Sequence, residues 1–296
     1  MLPQGTGWIP DQPDARDYGP QHKNLARPLL GQQEQIVHPT APLLPRIDLS
    51  ADFPPVIEQG PLSSCTAATA AALIGYFEKK TFGWTTSPSI LFLYKVERNL
   101  LGKTGDSGAF LRTAMQALRA FGVPPEKVWP YQPALLDVEP APFHYAFAAN
   151  FKATHYFRLD DIGTPPEVLL RRIKTALSLG LPPMFGMALF SSAGTAGPGE
   201  IPFPGPFDAQ QDLHALVAVG YDDAKTISRI DPMTGRGQLS VGALRVRNSW
   251  GVQWGEGGYG WVPYDYVLAG LTSDWWCLLR ADSLDLNVFQ KLAGNS

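Results

Sequence analysis

Cys65 is one of only two cysteines in a chain of 296 residues, and its surroundings make it a candidate nucleophile. It follows the turn Pro61-Leu62-Ser63-Ser64 and opens an alanine-rich stretch that favours a helix. The unpaired N–H groups at a helix start, together with the helix dipole, stabilise a thiolate. Far downstream, His214 and Asn248 complete the groups that a thiol acyl-transfer site requires.

Each of these residues has a definite role in such a site. His214 would act as general base toward the thiol and later as general acid toward the leaving amine. The side-chain oxygen of Asn248 would accept the second imidazole N–H and fix the ring, and Trp250 would shield that hydrogen bond from water. The side-chain amide of Gln59 would stabilise the developing oxyanion together with the backbone N–H of Cys65.

The elements that must position these residues change type along the chain. Helix signals dominate the first half and strand signals dominate the second, with Gly, Pro and Asp clusters between the strands. Ser63 or Ser64 can cap the helix that carries Cys65. The segregation predicts an α+β protein with two lobes and a cleft between them. The predicted helices are Cys65–Lys80, one opened by Ser87-Pro88, Ala109–Phe121 and Val168–Leu179, and the predicted strands are Met184–Phe190, Leu213–Tyr221, Ala243–Asn248, Tyr259–Val262 and Trp275–Leu279.

The sequence around the candidate residues resembles the papain family of cysteine peptidases. Gln59-Gly60 lies six residues before Cys65, and His214 stands in Asp-Leu-His-Ala. Asn248 opens the motif Asn-Ser-Trp-Gly-x-x-Trp-Gly-x-x-Gly-Tyr, which is highly specific. By this resemblance, the oxyanion, nucleophile, base and orienting positions of the family fall on Gln59, Cys65, His214 and Asn248.

The resemblance covers about Ile47 to Leu279, and the opening Gly7-Trp8-Ile9-Pro10-Asp11 is similar to a bacterial branch of the family. It implies a papain-like two-lobe fold, with a helical lobe that carries Cys65. A β-barrel-like lobe would carry His214 and Asn248, and peptide would bind in the active-site cleft between the lobes. The implied activity is peptide-bond hydrolysis through a thiolate–imidazolium pair and an acyl-enzyme, with no cofactor.

The spacing of the motifs fits the family only in part. His214 follows Cys65 by 149 residues, within the family range of ~130–150. Asn248 follows Cys65 by 183 residues, and the excess indicates an enlarged hairpin between Tyr221 and Val246, centred on Asp231-Pro232-Met233-Thr234-Gly235. The sequence departs from the family at two further positions. Thr66 stands in place of the usual tryptophan after the nucleophile, and Leu62 stands in place of the usual disulfide cysteine before it.

The resemblance also predicts where substrate binds. Asp106-Ser107-Gly108 corresponds to the glycine strand of the family, whose backbone hydrogen-bonds an extended peptide as an added strand. Met187, Leu213 and Ala215 fall near the pocket for the second residue before the scissile bond. The apolar lining predicts a hydrophobic or aromatic preference there, although Met187 and Ala215 are equally compatible with an ordinary core position.

The first 46 residues form a Pro-rich extension whose large aromatic side chains, Trp8 and Tyr18, lie in the segment Trp8–Tyr18. Such a segment either covers the cleft and limits access, as a pro-segment would, or straps the back of the molecule. The predicted organisation is an extension over 1–46, a mainly helical lobe over 47–155 and a mainly β lobe over 156–296.

Composition excludes several other classes of function. A formal net charge of −3 without a basic block gives no reason to expect binding to nucleic acid or a membrane surface. His144 and His155 lack the spacing of metal ligands, so no metal is expected. Cys277 lies in an apolar strand and is predicted to be a core residue. With no visible secretory signal and no disulfide implied, the protein is expected in the cytoplasm or exported by a non-classical route.

Two alternatives to a peptidase stay open. A catalytically silent relative would keep the cleft as a binding module, but such proteins usually lose the cysteine, histidine or asparagine, and this chain keeps all three. Another thiol acyltransferase, such as a transglutaminase or a deamidase, would commonly use aspartate as the third member and lack the Asn-Ser-Trp-Gly context.

Overall fold

A seven-stranded antiparallel sheet forms the centre of the molecule. Residues 6–25, 33–39, 42–230, 233 and 235–283 are described, from a computed structural model of the chain. The strand order is β2-β7-β3-β4-β5-β6, and β1 pairs with β4. The strands are β1 (Arg46–Asp48), β2 (Phe151–Arg158), β3 (Pro183–Phe190), β4 (Gln210–Ile230), β5 (Gly237–Arg247), β6 (Tyr259–Pro263) and β7 (Thr272–Ser283).

Helices cover both faces of this sheet. Three helices, α2 to α4, pack on one face, and α6, α7 and the short α1 pack on the other. Among the described residues, none of these helices has the length and apolar character that crossing a membrane requires. The helices are α1 (Gln33–Val37), α2 (Cys65–Phe82), α3 (Ile90–Leu100), α4 (Leu111–Ala120), α5 (Pro142–Ala148), α6 (Pro166–Ser178) and α7 (Asp265–Leu268).

Strand alternation divides the side chains between two hydrophobic cores. On β3, Met184 packs with the helices α2 to α4, whereas Phe185 and Met187 pack in the core of the β-rich part of the molecule. On β4, Ala215 and Val217 belong to the first core, and the neighbouring leucine and alanine belong to the second. The first core therefore joins the helices to one face of the sheet.

Helix α2 begins at Cys65, as the sequence predicts, but its start is held differently. Neither serine caps it: Ser64 makes no capping hydrogen bond, and the Ser63 side chain donates to Asp106 instead. The predicted start of α3 at Ser87-Pro88 is wrong. Ser89 caps α3 by accepting a hydrogen bond from the Phe92 N–H at 3.2 Å, and Ser87 lies before it with φ of +52°.

The enlarged hairpin predicted between Tyr221 and Val246 is present as the long arms of β4 and β5. Residues 226–230 pair with residues 237–241 in antiparallel register. Of the predicted centre, residues 231, 232 and 234 lie outside the described part of the chain. The hairpin accounts for the extra residues that separate Asn248 from Cys65 along the sequence.

The N-terminal extension crosses from one core to the other. Residues 6–9 lie in the cleft, where Trp8 bridges to Ala109. Further along, Leu25 and Ile36 are buried in the core of the β-rich part, and α1 packs on α6. The predicted boundary between the lobes at residue 155 falls within β2, and the division of the chain into three parts stays a prediction.

Candidate active site

Cys65 is the first residue of α2, and its side chain is fully buried. The loop before it is fixed by Asp106, which accepts hydrogen bonds from the Ser63 backbone N–H at 2.9 Å and from the Tyr94 hydroxyl at 2.7 Å. The same hydroxyl accepts from the Gly108 N–H at 2.9 Å. One carboxylate thus ties the nucleophile loop to the predicted substrate-binding strand.

His214 lies on β4, and its orientation is set by Asn248 at the end of β5. The Nε2 atom of His214 lies 2.8 Å from the side-chain oxygen of Asn248. That oxygen also accepts from the Ser249 backbone N–H at 2.7 Å, so it acts as an acceptor and the proton belongs to Nε2. The other imidazole nitrogen, Nδ1, is buried without a hydrogen-bond partner among the described residues, and it keeps its lone pair for a proton.

Trp250 covers this histidine. Its ring stacks on the imidazole of His214 with centroids 4.6 Å apart and an interplanar angle of 23°. The ring of Trp254 packs edge-on against the Trp250 ring. Trp250 is only 6% exposed. The two rings exclude water from the His214–Asn248 hydrogen bond, which strengthens it.

Gln59 is held on every side. Its backbone N–H donates to the Ser249 carbonyl at 2.8 Å, and its backbone carbonyl accepts from the Tyr131 hydroxyl. Its side-chain oxygen accepts from the Ser249 hydroxyl, so the amide nitrogen must point the other way. That nitrogen donates to the Leu62 carbonyl at 2.9 Å and reaches the Thr6 carbonyl at 3.4 Å.

The Thr6 carbonyl oxygen occupies the place predicted for an oxyanion. Besides the Gln59 side chain, the Cys65 backbone N–H also reaches this oxygen at 3.4 Å. These two N–H groups are the donors that the sequence predicts for the oxyanion of the reaction. A peptide carbonyl of the chain itself therefore lies where a substrate carbonyl would react.

The residues after Thr6 continue along the cleft as an added strand. The Ala109 N–H donates to the Gly7 carbonyl at 3.0 Å, and the Ile9 N–H donates to the Ala109 carbonyl at 2.9 Å, in parallel orientation. At Gly7, φ is +114° and a Cβ would lie 2.1 Å from the Ser63 carbonyl oxygen, so glycine is required there.

The backbone pairing shifts the predicted substrate strand by one residue. Ala109 supplies the paired N–H and C=O groups, whereas Gly108 supplies clearance, since a Cβ there would lie 2.4 Å from the Gly7 carbonyl oxygen. The hydroxyl of Ser107 donates to the neighbouring Gly108 carbonyl at 3.1 Å.

The indole of Trp8 fills a pocket beside the nucleophile and is 5% exposed. A Cβ on Gly186 would lie 2.0 Å from this ring, so the absence of a side chain on β3 makes the room for it. Ala215 and Leu213 pack in the same core as Trp8 and Cys65, whereas Met187 packs in the other core. Met187 lies directly opposite His214 in the pairing of β3 with β4, and its place in the lining of this pocket stays a prediction.

Burial dominates the electrostatics of the covered site. It raises the pKa of the Cys65 thiol to about 12, although backbone hydrogen bonds from Ala215, Trp8 and Thr66 act in the opposite direction. It lowers the pKa of His214 to about 4, against the effect of the Asn248 hydrogen bond. These directions favour a neutral thiol and a neutral imidazole while the cleft is covered, whereas the sequence predicts an ion pair.

Comparison with known proteins decides the family. No family model matches the sequence. An uncharacterized peptidase C1-like protein of Acanthamoeba polyphaga mimivirus is 33% identical over 240 residues, which cover 79% of this chain and 72% of the relative. The crystal structure of xylellain, a cysteine protease from Xylella fastidiosa, superposes with a TM-score of 0.72 at 31% identity, covering 95% of this chain and 97% of xylellain.

The chain belongs to the papain family of cysteine peptidases. The bromelain protease of Ananas comosus, in a complex with the E64 inhibitor, shares the fold with a TM-score of 0.57 at 20% identity, covering 80% of this chain and all of bromelain. The chain therefore has the two-lobe α+β fold of papain-like peptidases, and it is a cysteine-type peptidase.

Sequence reasoning missed the contacts by which several residues shape the cleft of this papain-like peptidase. Asp106 and Tyr131 fix the nucleophile loop and Gln59, and Ser249 orients the Gln59 amide. Asp274 binds the Trp8 indole from 266 residues away. The motif Asn-Ser-Trp-Gly indicates that Ser249 belongs to the site. No local sequence pattern identifies the partners of Asp106, Tyr131 or Asp274.

Proposed function

We propose that this peptidase is made in a latent form, with the N-terminal segment over its cleft and with Gln59, Cys65, His214 and Asn248 as its catalytic machinery. The observation that carries the proposal is the Thr6 carbonyl oxygen, which accepts from both the Gln59 amide and the Cys65 N–H. A substrate carbonyl cannot reach these donors until residues 6–9 move away.

In the open enzyme, the Nδ1 atom of His214 removes the thiol proton, and the thiolate sulfur attacks the carbonyl carbon of a peptide bond. The resulting oxyanion is stabilised by the Gln59 amide and the Cys65 N–H. The C–N bond then breaks as the imidazolium gives its proton to the departing amine. His214 next deprotonates a water molecule, which attacks the thioester and releases the carboxylic acid with the thiol regenerated.

Cleavage of the segment itself is disfavoured by the way it is held. Attack on the Thr6–Gly7 bond would create an amine at Gly7, but Gly7 is fixed by its carbonyl to Ala109 and by its close contact with Ser63. An amine that stays beside the thioester reforms the bond at a high effective concentration. The segment therefore acts as a resident inhibitor rather than as a substrate.

Labelling with an epoxide inhibitor of cysteine peptidases, followed by intact-protein mass spectrometry, tests the proposal. We expect one adduct on Cys65, forming slowly in the wild-type chain. Cys277 provides a matched control, because it is the second buried free cysteine and lies on β7. The Cys277→Ala chain should label like the wild type and Cys65→Ala should not label. An adduct that persists in Cys65→Ala would overturn the assignment of the nucleophile.

A further inference from the structure

A buried carboxyl group contacts the residue that follows the nucleophile. Glu97 lies near the end of α3, and its side chain is fully buried. Its Oε2 atom accepts a hydrogen bond from the Thr66 hydroxyl at 2.6 Å, and Thr66 is fully buried as well. The Oε1 atom of Glu97 is also buried and has no hydrogen-bond partner among the described residues. The core therefore holds a half-satisfied carboxyl group next to the start of α2, where Cys65 lies.

This contact depends on a residue at which the chain departs from its family. Thr66 stands where papain-like peptidases usually carry tryptophan, and its hydroxyl is the group that reaches Glu97. Because Thr66 is the second residue of α2 and Glu97 belongs to α3, their hydrogen bond fixes the first turn of α2 against the neighbouring helix. Both residues belong to the body of the protein and not to the N-terminal segment, so the contact remains when the cleft opens.

The basic residues that neighbour Glu97 on α3 pair with other carboxylates. Arg98 pairs with Asp137 at 2.6 Å, and Lys95 pairs with Glu139 at 3.4 Å. Burial raises the pKa of Glu97 to about 8, against its hydrogen bond and the attraction of Arg98. At neutral pH the carboxyl group therefore keeps its proton and carries no charge.

A negative charge on Glu97 affects the two members of the reactive pair unequally. Burial is the main cause of the raised pKa of the Cys65 thiol, and the charge of an ionised Glu97 raises it further. Burial lowers the pKa of His214, and the side chains that act on it in the opposite direction are Asn248 and Asp212. Loss of the Glu97 proton therefore opposes the thiolate without a matching stabilisation of the imidazolium.

We propose that Glu97 is a positioning residue for the nucleophile, which fixes the turn of Cys65 through Thr66 and favours the thiolate while its own carboxyl group is protonated. When Glu97 gives its proton to solvent at alkaline pH, a buried carboxylate lies near the sulfur, and the thiolate takes its proton back from the imidazolium of His214. The proposal rests on the proposed function, since it needs Cys65 to be the nucleophile. It adds an alkaline limit of activity that is set by a residue outside the cleft.

The first test measures the thiol without its imidazole. Alkylation of Cys65 by iodoacetamide is followed across pH 6 to 11 in the full-length Trp8→Ala/His214→Ala chain, with and without Glu97→Gln. Glutamine keeps the size of the side chain and an oxygen for the Thr66 hydroxyl, but it cannot ionise. A nearby charge moves a pKa by about 1–3 units, so we expect Glu97→Gln to lower the inflection of the alkylation rate by about one pH unit or more.

The second test uses hydrolysis of a blocked fluorogenic peptide by the Trp8→Ala chain with His214 intact. The ratio of kcat/KM at pH 9.5 to kcat/KM at pH 6.5 should rise by about three- to tenfold on adding Glu97→Gln, because a change of one unit in the thiol pKa changes the thiolate population by up to about tenfold. Glu78→Gln is a matched control, since Glu78 is buried toward the other end of α2 and accepts from the Thr86 hydroxyl at 2.9 Å. It should leave both the ratio and the inflection unchanged.

An inflection that Glu97→Gln leaves in place, or an unchanged ratio, would overturn the role of Glu97. If that variant does not fold, Thr66→Val decides instead: it removes the hydrogen bond that favours the ionised form of Glu97, so activity should fall at a higher pH than in the parent. A decline at the same pH would overturn the proposal. If Cys65→Ala cleaves the peptide as fast as its parent, the proposed function fails, whereas cleavage that needs Cys65 but keeps the parent's pH ratio in Glu97→Gln refutes only the role of Glu97.

Discussion

Replacing Trp8 by alanine is expected to open the cleft of the full-length chain. The indole is 5% exposed, and it packs against Gly186 and donates to Asp274. Removing a buried tryptophan side chain typically costs about 3–5 kcal/mol. Because residues 6–9 bind the cleft in the closed form and leave it in the open form, this loss applies to the closed form. The ratio of open to closed molecules should rise by about 10²- to 4 × 10³-fold.

The assay is the initial rate of hydrolysis of a fluorogenic peptide by wild-type and Trp8→Ala chains at equal concentration. The Trp8→Ala chain should hydrolyse the peptide much faster than the wild-type chain. The increase in rate is limited by the point at which most molecules of the variant are open. Phe143→Ala is a matched control, since Phe143 lies on α5 and is 63% exposed. Thermal unfolding of each variant verifies that the body remains folded. A folded Trp8→Ala chain with an unchanged rate would refute the inhibitory role of the segment.

Two further predictions concern residues around the nucleophile. In the Trp8→Ala chain, Gln59→Ala should lower kcat by about 10²- to 10³-fold, because one of the two oxyanion donors is lost, and steady-state kinetics that show an unchanged kcat would argue against this role. Glu97, fully buried and 2.6 Å from the Thr66 hydroxyl, has its pKa raised to about 8 by burial. The native state therefore binds more protons than the unfolded state between pH 4.5 and 8, and stability should fall as the pH rises through this window. Glu97→Gln should remove this slope, on the order of 4 kcal/mol across the window, and denaturant titrations of both chains at pH 5 and pH 8 measure it.

The parts of the site that the sequence predicts are those encoded by local motifs. The start of α2 at Cys65 follows from a turn that precedes an alanine-rich run, and it is confirmed. The hydrogen bond between His214 and Asn248 joins two motifs whose neighbouring residues identify each of them. The family, the α+β fold and the peptidase activity are likewise confirmed by the relatives.

The parts that the sequence does not predict depend on contacts between distant residues. Whether Met187 or Gly186 borders the cleft depends on which face of β3 meets the helices. Because β3 carries apolar residues on both faces, its sequence does not show which side chains point toward the helices. The position of Trp8 depends on Asp274, which no pattern near residue 8 reveals. The compartment of the protein stays a prediction from the sequence.

The central claim is that Cys65 and His214 form a reactive pair once the N-terminal segment leaves. Alkylation of the Trp8→Ala chain by iodoacetamide, followed across pH 4 to 10, measures the thiolate directly. The reaction rate should show an inflection well below the ordinary thiol pKa of about 8.5, because the neighbouring imidazolium stabilises the thiolate. His214→Ala in the same chain should move the inflection to about 8.5 or above. An inflection at or above that value in both chains would contradict the account.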